Sequence, residues 1–266
     1  MEAFNGSWFN PRVAGVDVKM ALYCIGAVIL QLNVLSQAAL HQQNNGGVIA
    51  NSVFLYVSMF TWFLIEYSYF ENVHLYTYDL FAEKIGIKLV FGCMAFYPFF
   101  YAIGGTVLTT YAPHRHPELF MQDLGPISCC AIVVLFVTGW VFTRGANMQK
   151  FYYKINPKDQ TFLFGLLSQK TIPGSRIIAS GFWGLSRHIN YMGEIVQAVA
   201  LALPGFFAFV GTDFSLALIP FLYPLYYLAL FIPRERDDHV ICKRKYGKVW
   251  DEYCARVPYR IVPGLY

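Results

Sequence analysis

Long apolar stretches separated by short polar segments set the pattern of this chain. Each stretch has the roughly 20 residues that a helix needs to cross the hydrocarbon core of a bilayer. The pattern predicts six spanning helices, at approximately 18–40, 48–70, 86–108, 124–143, 191–211 and 214–232.

The composition supports the same interpretation. Hydrophobic residues make up 56% of the chain and charged residues 14%, which leaves too little polar surface for a soluble globule of this length. The first 16 residues are polar and lack the short apolar core of a cleaved signal peptide. We therefore predict an all-α polytopic membrane protein, with residues 1–266 forming a single membrane domain whose first span also anchors it.

Basic residues predict the topology, because Lys and Arg beside spans remain on the cytosolic side. With six spans both termini share one side, and that side holds nineteen of the 20 Lys and Arg residues. Only Arg115 falls on the other side. We therefore expect both termini in the cytosol, and we attribute the net charge of +4 to topology and an anionic ligand, with no nucleic-acid partner.

Two cytosolic segments, 144–190 and 233–266, are rich in Arg, Lys, Asn, Tyr and Trp, so they form the expected binding surface. A nicotinamide dinucleotide requires cations for its phosphates and flat aromatic faces for its rings. No Gly-x-Gly-x-x-Gly follows a strand, so such a cofactor would dock among helix ends and not on a Rossmann fold. No Cys, His, Asp or Glu set has zinc spacing, and His114 and His116 fall in a short lumenal loop; we expect no metal.

Three motifs are more specific than membrane composition. Residues 181–193 read Gly-Phe-Trp-Gly-Leu-Ser-Arg-His-Ile-Asn-Tyr-Met-Gly, and residues 144–150 read Arg-Gly-Ala-Asn-Met-Gln-Lys. The tail carries Lys-Tyr-Gly at 245–247 and Val-Pro-Tyr-Arg at 257–260. Together with Asn-Pro-Arg at 10–12, they resemble the membrane sterol reductases, which include sterol Δ14-reductase, 7-dehydrocholesterol reductase and the membrane half of the lamin B receptor. The Gly-Ala-Asn form is most similar to the Δ14-reductase branch.

The resemblance implies a multi-pass protein of the endoplasmic reticulum membrane that uses NADPH to reduce a sterol carbon-carbon double bond, preferably Δ14. Its other partners would be the sterol substrate and membrane lipid. The cofactor contacts that it implies are Arg144, Asn147, Lys150, Trp183, Arg187, His188, Asn190, Tyr191, Arg234, Asp238, Lys245, Tyr246, Trp250, Tyr253 and Arg260. The three on 144–150 are three residues apart and would share one helix face.

Reduction of an isolated double bond needs an acid for one carbon and a hydride for the other. Asp238 is the expected acid or its relay, because a carboxyl at the membrane boundary can be kept protonated by desolvation. Glu66 is the second catalytic candidate, since ionisable groups inside a membrane are costly and so indicate function. Pairing of Glu66 with Lys19 or with a backbone group is the structural alternative.

Several positions depart from the family pattern. Phe63 stands where a tyrosine implicated in proton delivery is usual, Cys93 and Glu194 where Asp is common, and Asp237 where Arg is usual. The relatives have about ten spans, so this chain is expected to begin near their fifth.

Three other functions stay open. They are reduction of another sterol double bond (Δ7 or Δ24(28)), methyl transfer of the isoprenylcysteine type, and non-catalytic sterol binding. Arg-His-Ile-Asn in place of the Arg-His-Pro of the methyltransferases favours the reductase.

Overall fold

The computed structural model describes residues 6, 8, 11–77, 84–110 and 121–266. Asn10, His114, Arg115 and His116 lie outside these residues. The chain divides into two compact units, the first formed by residues 1–134 and 199–223 and the second by residues 135–198 and 224–266.

The first unit begins with a two-stranded antiparallel pair, β1 (Arg12–Val13) and β2 (Val16–Asp17). Asp17 then caps the first long helix, because its carboxylate accepts hydrogen bonds of 3.1 Å from the backbone N–H groups of Lys19 and Met20. The helices that follow are α1 (Val18–Asn44), α2 (Asn51–Tyr69), α3 (Glu71–His74), α4 (Ile87–Phe91), α5 (Tyr97–Phe100) and α6 (Ile103–Thr110).

The third predicted span is interrupted. A π-helical turn (Gly92–Phe96) joins α4 to α5, and Pro98 lies in the first turn of α5, where its missing N–H is tolerated. Polar side chains of α1, spaced four residues apart on one face, donate hydrogen bonds to carbonyl groups along this interrupted helix. Asn33 donates to the carbonyl of Pro98 (3.0 Å), Gln37 to that of Ala102 (3.2 Å) and His41 to that of Leu108 (3.1 Å). Carbonyl groups at a break in a membrane helix are therefore satisfied within the protein.

The second unit holds the polar end of the chain. It contains two short antiparallel strands, β3 (Thr161–Phe162) and β4 (Leu167–Ser168), and a 3₁₀ turn (Gly181–Gly184). Helices α7 (Pro126–Ile155) and α8 (Ile189–Phe209) each have residues in both units. Helix α9 (Phe214–Leu218) and a 3₁₀ turn (Ile219–Phe221) belong to the first unit, α10 (Leu222–Tyr246) belongs to the second from residue 224 onward, and α11 (Lys248–Arg256) lies wholly in the second.

Glycine allows α7 and α8 to approach closely within the second unit. A Cβ atom at Gly193 would lie 2.3 Å from the Thr143 hydroxyl and 2.5 Å from the carbonyl oxygen of Gly139. The Thr143 hydroxyl also donates to the carbonyl of Asn190 at 3.1 Å and accepts from Gln197 at 3.3 Å. Close backbone approach with interhelical polar bonds is the packing typical of membrane helices.

Five helices in the described part of the chain are long and apolar enough to cross a membrane: Val18–Asn44, Ile87–Thr109, Pro126–Ile155, Ile189–Phe209 and Phe214–Tyr246. The prediction of an all-α polytopic membrane protein is thereby confirmed. The second predicted span does form a helix, α2, but Ser, Thr and Glu residues lower its apolar character and it is not one of these five. The cytosolic placement of both termini and the division into one membrane domain with two cytosolic segments stay predictions.

Candidate functional site

The polar motifs lie on helices that continue beyond the predicted ends of their spans. Helix α7 runs to Ile155 and α10 to Tyr246, whereas the apolar stretches end near 143 and 232. The extensions carry Arg144, Asn147 and Lys150 on α7, and these three side chains are buried or half-buried. They share one face of the helix, as their spacing predicts, and Asn190 of α8 donates to Asn147 at 3.4 Å.

Gln149 fixes the loop that precedes α8. It is fully buried, accepts a hydrogen bond from the backbone N–H of Phe182 at 3.0 Å, and donates one to the carbonyl of Ser180 at 3.1 Å. The glycine between these residues, Gly181, has a φ of +61°, and a Cβ there would lie 2.6 Å from the Gln149 amide. Only glycine therefore fits between the two bonded residues.

Trp183 follows directly and is held from two sides. Its indole N–H donates to the carbonyl of Ala146 at 2.9 Å, and its own carbonyl accepts from the Tyr253 hydroxyl at 3.1 Å. Burial raises the pKa of the Tyr253 phenol, so this hydroxyl remains protonated and able to donate. The ammonium of Lys150 lies 5.6 Å from the centre of the Trp183 ring, a cation–π distance.

Arg187 is a buried cation, 8% exposed, that is held by neutral groups. Its guanidinium donates to the Cys254 sulfur at 3.0 Å and to the carbonyl of Pro258 at 3.1 Å, and it lies 3.4 Å from Nδ1 of His239. The same His239 nitrogen accepts from the Trp250 indole at 3.1 Å, which requires an unprotonated Nδ1. Among the described residues, no carboxylate lies within ion-pair distance of Arg187.

The C-terminal tail is bonded to the loop that carries Arg187. The backbone N–H of Arg187 donates to the carbonyl of Tyr259 at 3.0 Å, and that of His188 donates to Arg260 at 2.8 Å. The Ser186 hydroxyl donates to Ile261 at 2.7 Å. Residues 186–188 of the loop are thus each hydrogen-bonded to residues 259–261 of the tail.

His188 is buried beside several cations. Burial first, and then Arg187, Lys150 and Arg260, lower the pKa of His188 to about 3, so its imidazole is neutral at physiological pH. Its Nε2 atom lies 3.9 Å from the Asp238 carboxylate. Tyr191 stacks on His188, with ring centres 4.9 Å apart, and so helps to orient the imidazole.

Arg260 has a partner within the protein. It donates to the two carboxylate oxygens of Glu235 at 2.9 and 3.2 Å, and the Tyr266 hydroxyl donates to the same carboxylate at 2.8 Å. The hydrogen bonds to Glu235 raise the pKa of Arg260, and Glu235 itself is 1% exposed. One predicted cofactor cation is therefore committed to a buried carboxylate.

Positive charge dominates this part of the second unit. Six cations act on one another and on the groups just described: Lys150, Lys154, Arg187, Arg234, Lys245 and Arg260. The carboxylates of Asp238 and Glu235 lie among these cations. Glu235 is bound to Arg260, whereas Asp238 interacts with Lys150 and Arg234.

The structure places all the predicted cofactor residues in this unit, where they differ in how deeply they are buried. Lys150, Trp183, Asn190, Arg234, Asp238 and Arg260 are half-buried, whereas Arg144, Asn147, Arg187, His188, Tyr191, Trp250 and Tyr253 are buried and Lys245 and Tyr246 are exposed. Their roles toward a cofactor stay predictions.

The second catalytic candidate and the departures from the family pattern are also located. Glu66 belongs to the first unit, where it is buried near the end of α2, and its catalytic role stays a prediction. Phe63 and Cys93 are buried in that unit as well. Asp237 and its neighbour Arg236 are exposed, so neither belongs to the buried cluster.

Sequence reasoning missed His239, Glu235 and Tyr266 as members of this site. His239 is an isolated histidine in a charged stretch, and nothing in its neighbours indicates a contact with Arg187. Glu235 lies between Arg234 and Arg236, but its partner is Arg260, 25 residues further along the chain, so its neighbours gave no indication of this contact.

These observations define the class of the protein. It is a polytopic α-helical membrane protein with a cationic, aromatic-lined cluster at its polar end. The whole chain, residues 1–266, matches the model of the Ergosterol biosynthesis ERG4/ERG24 family, and the protein belongs to that family.

Relatives support this membership. The chain is 32% identical to a Delta(14)-sterol reductase of Arabidopsis thaliana, with 97% of the chain and 65% of the relative covered. It is 35% identical to Delta(14)-sterol reductase TM7SF2 of Mus musculus (99% and 59% covered). It is 31% identical to a probable 7-dehydrocholesterol reductase of Acanthamoeba polyphaga mimivirus (98% and 55% covered). The chain thus spans 55–65% of the length of these relatives.

Proposed function

We propose that this protein reduces a carbon-carbon double bond of a sterol, with Δ14 as the preferred position, and that it uses NADPH bound at the cationic cluster of the second unit. The endoplasmic reticulum is the proposed membrane. Family membership and relatives named as Delta(14)-sterol reductases support the reaction.

The excess of positive charge around Arg187 is the observation that carries the cofactor proposal. The buried Arg187 is held by an imidazole, a thiol and a carbonyl, none of which neutralises it, and Lys150 and Arg260 lie close enough to act with it on His188. A buried charge without a counter-ion is costly, so an anionic ligand stabilises this arrangement. A dinucleotide phosphate supplies that charge, and the half-buried Trp183 beside Lys150 offers a flat face to a ring.

The chemistry adds one proton and one hydride across the double bond. The bound cofactor supplies the hydride when it is present. Asp238 is the proposed proton donor, because it is a half-buried carboxyl on α10 close to the neutral His188. Lys150 faces Asp238, so it stabilises the carboxylate that remains after the proton has left.

Sterol profiling of yeast that lacks its own Δ14-reductase tests the reaction. We expect expression of this chain to restore Δ14-saturated sterols. Asp238→Asn should abolish them, because an amide is too weak an acid to protonate the sterol. An unchanged sterol profile with a stable, membrane-inserted protein would contradict the Δ14 assignment. A shift in sterols unsaturated at another carbon would then indicate a different double bond.

Cofactor binding is tested separately on purified protein. We expect NADPH to raise the unfolding temperature and S-adenosylmethionine to leave it unchanged, which distinguishes the reductase from a methyltransferase. Binding of NADPH without any turnover of sterols would instead support a non-catalytic sterol-binding protein.

A further inference from the structure

The β3–β4 hairpin presents an apolar tip to the outside of the second unit. Four residues, 163–166, connect the strands, and the backbone N–H of Leu166 donates to the carbonyl of Leu163 at 3.0 Å. Phe164 is 107% exposed and Leu166 is 82% exposed, so neither side chain packs on the protein. The tip is a small apolar surface with no cover among the described residues.

The base of the hairpin is firmly held, so the tip is a defined feature and not a loose loop. Phe162 is buried in a cluster with Ala146, Phe182 and Ile189. Gln169, just after β4, donates to the carbonyl groups of Asp159 and Thr161 at 3.2 and 3.0 Å. The hairpin therefore projects its tip from a packed base.

The backbone at the tip is in an unfavourable conformation for its residues. Leu163 and Phe164 have φ of +52° and +55°, a region that L side chains rarely adopt, and Gly165 has +88°. A turn with two consecutive positive φ values normally selects Asn, Asp or Gly. Strain of this kind at exposed apolar residues points to a function of the tip.

The surroundings identify the partner as a membrane surface. The base of the hairpin lies near the predicted bilayer boundary, because Phe162 packs against Ala146, three residues beyond the predicted end of the span at residue 143. Residues 156–180 carry three cations (Lys158, Lys170 and Arg176) and one carboxylate (Asp159), all exposed. Exposed apolar side chains beside basic ones suit the boundary between acyl chains and anionic headgroups.

We propose that residues 163–166 insert Phe164 and Leu166 into the interface of an anionic lipid leaflet, where the neighbouring cations contact the headgroups. The hairpin thus acts as an interfacial anchor beside α7. This proposal is independent of the sterol reaction and of cofactor binding.

Tryptophan fluorescence in lipid vesicles tests the proposal on the full chain. Phe164→Trp and, separately, Leu166→Trp are reconstituted in phosphatidylcholine–phosphatidylserine vesicles whose acyl chains carry bromine either near the headgroup or near the methyl end. The emission of the five native tryptophans is subtracted with the wild-type protein. Gln160→Trp, an exposed polar position near β3, is the matched control.

We expect blue-shifted emission that is quenched more by bromine near the headgroup, as for a ring about 5–10 Å deep. The control should show little quenching, and replacing phosphatidylserine by phosphatidylcholine should weaken quenching at the tip. Red-shifted, unquenched emission from both tip variants would overturn the proposal, because the tip would then be in water. Blue-shifted but unquenched emission would overturn it as well, because the tip would then be covered by protein.

Discussion

The buried carboxylate of Glu235 provides a quantitative test of the tail structure. Removing Arg260 leaves this carboxylate with the Tyr266 hydroxyl alone, since Arg260 supplies two of its three hydrogen bonds. Breaking a fully buried ion pair costs about 3–5 kcal/mol, but the Arg260 side chain is 35% exposed and water replaces part of its effect. We therefore expect Arg260→Met to lower the free energy of unfolding by about 2–3 kcal/mol.

A second variant and a control sharpen the test. Tyr266→Phe removes one hydrogen bond of 2.8 Å to a charged group, for which we expect a loss of about 1.5 kcal/mol. Arg256→Met removes an exposed arginine from α11 and should change stability by less than about 0.5 kcal/mol. Unfolding of the detergent-solubilised proteins by a graded denaturant gives these values.

The double variant decides whether the pair is the cause. When Glu235 and Arg260 are both replaced by Met, no unpaired carboxylate remains, so the loss should be smaller than the sum of the single losses by about 2 kcal/mol. Additive losses, or an Arg260→Met effect no larger than that of Arg256→Met, would refute the argument.

Three further predictions follow from the second unit. The pKa of His188 is about 3 in the folded protein against 6.5 for a free histidine, so the fold requires the neutral imidazole. We expect the free energy of unfolding to be unaffected by this group above pH 6.5 and to fall below it by up to about 1.4 kcal/mol per pH unit. His188→Gln should remove this pH dependence. Gly193→Ala places a Cβ 2.5 Å from a carbonyl oxygen of α7, so thermal unfolding should show a loss of about 2 kcal/mol or more, whereas Gly92→Ala, with no atom within 4 Å, should be mild. His239→Leu removes a hydrogen-bond acceptor near Arg187, and we expect it to weaken the affinity for NADPH about tenfold in titration calorimetry. His239→Asn keeps an acceptor there and should retain most of the wild-type affinity. Equal affinities of the two variants would contradict a positioning role for His239.

The spans could be predicted because the length of an apolar stretch can be counted directly in the sequence. The described helices begin close to the predicted positions. The ends were harder to predict. Helices α7 and α10 continue into polar sequence because their last turns pack on the loop and tail, which is a tertiary effect. The three hydrogen bonds from α1 to the interrupted third span could not be predicted, since they depend on which helix faces meet.

The candidate site could also be predicted from the sequence only in part. Motif spacing placed Arg144, Asn147 and Lys150 on one face of a helix. The family resemblance, and not spacing, grouped Arg187 and His188 with Asp238, and the structure has all three in the second unit. Sequence could not distinguish a cation that is free for a ligand from one already paired, as Arg260 is with Glu235. That distinction depends on a contact between residues 25 positions apart, for which the local pattern carries no signal.

The bonds between residues 186–188 and the tail impose an order on the assembly of the protein during synthesis. The five candidate membrane helices in the described part of the chain end by residue 246, so none of them contains the tail residues that bond to this loop. The loop that carries Arg187 acquires its hydrogen-bond acceptors only when residues 258–261 have been made. A stop codon shortly before residue 258 would therefore yield a chain that is fully inserted and yet has no assembled site, a product that membrane quality control would have to recognise by its polar end alone.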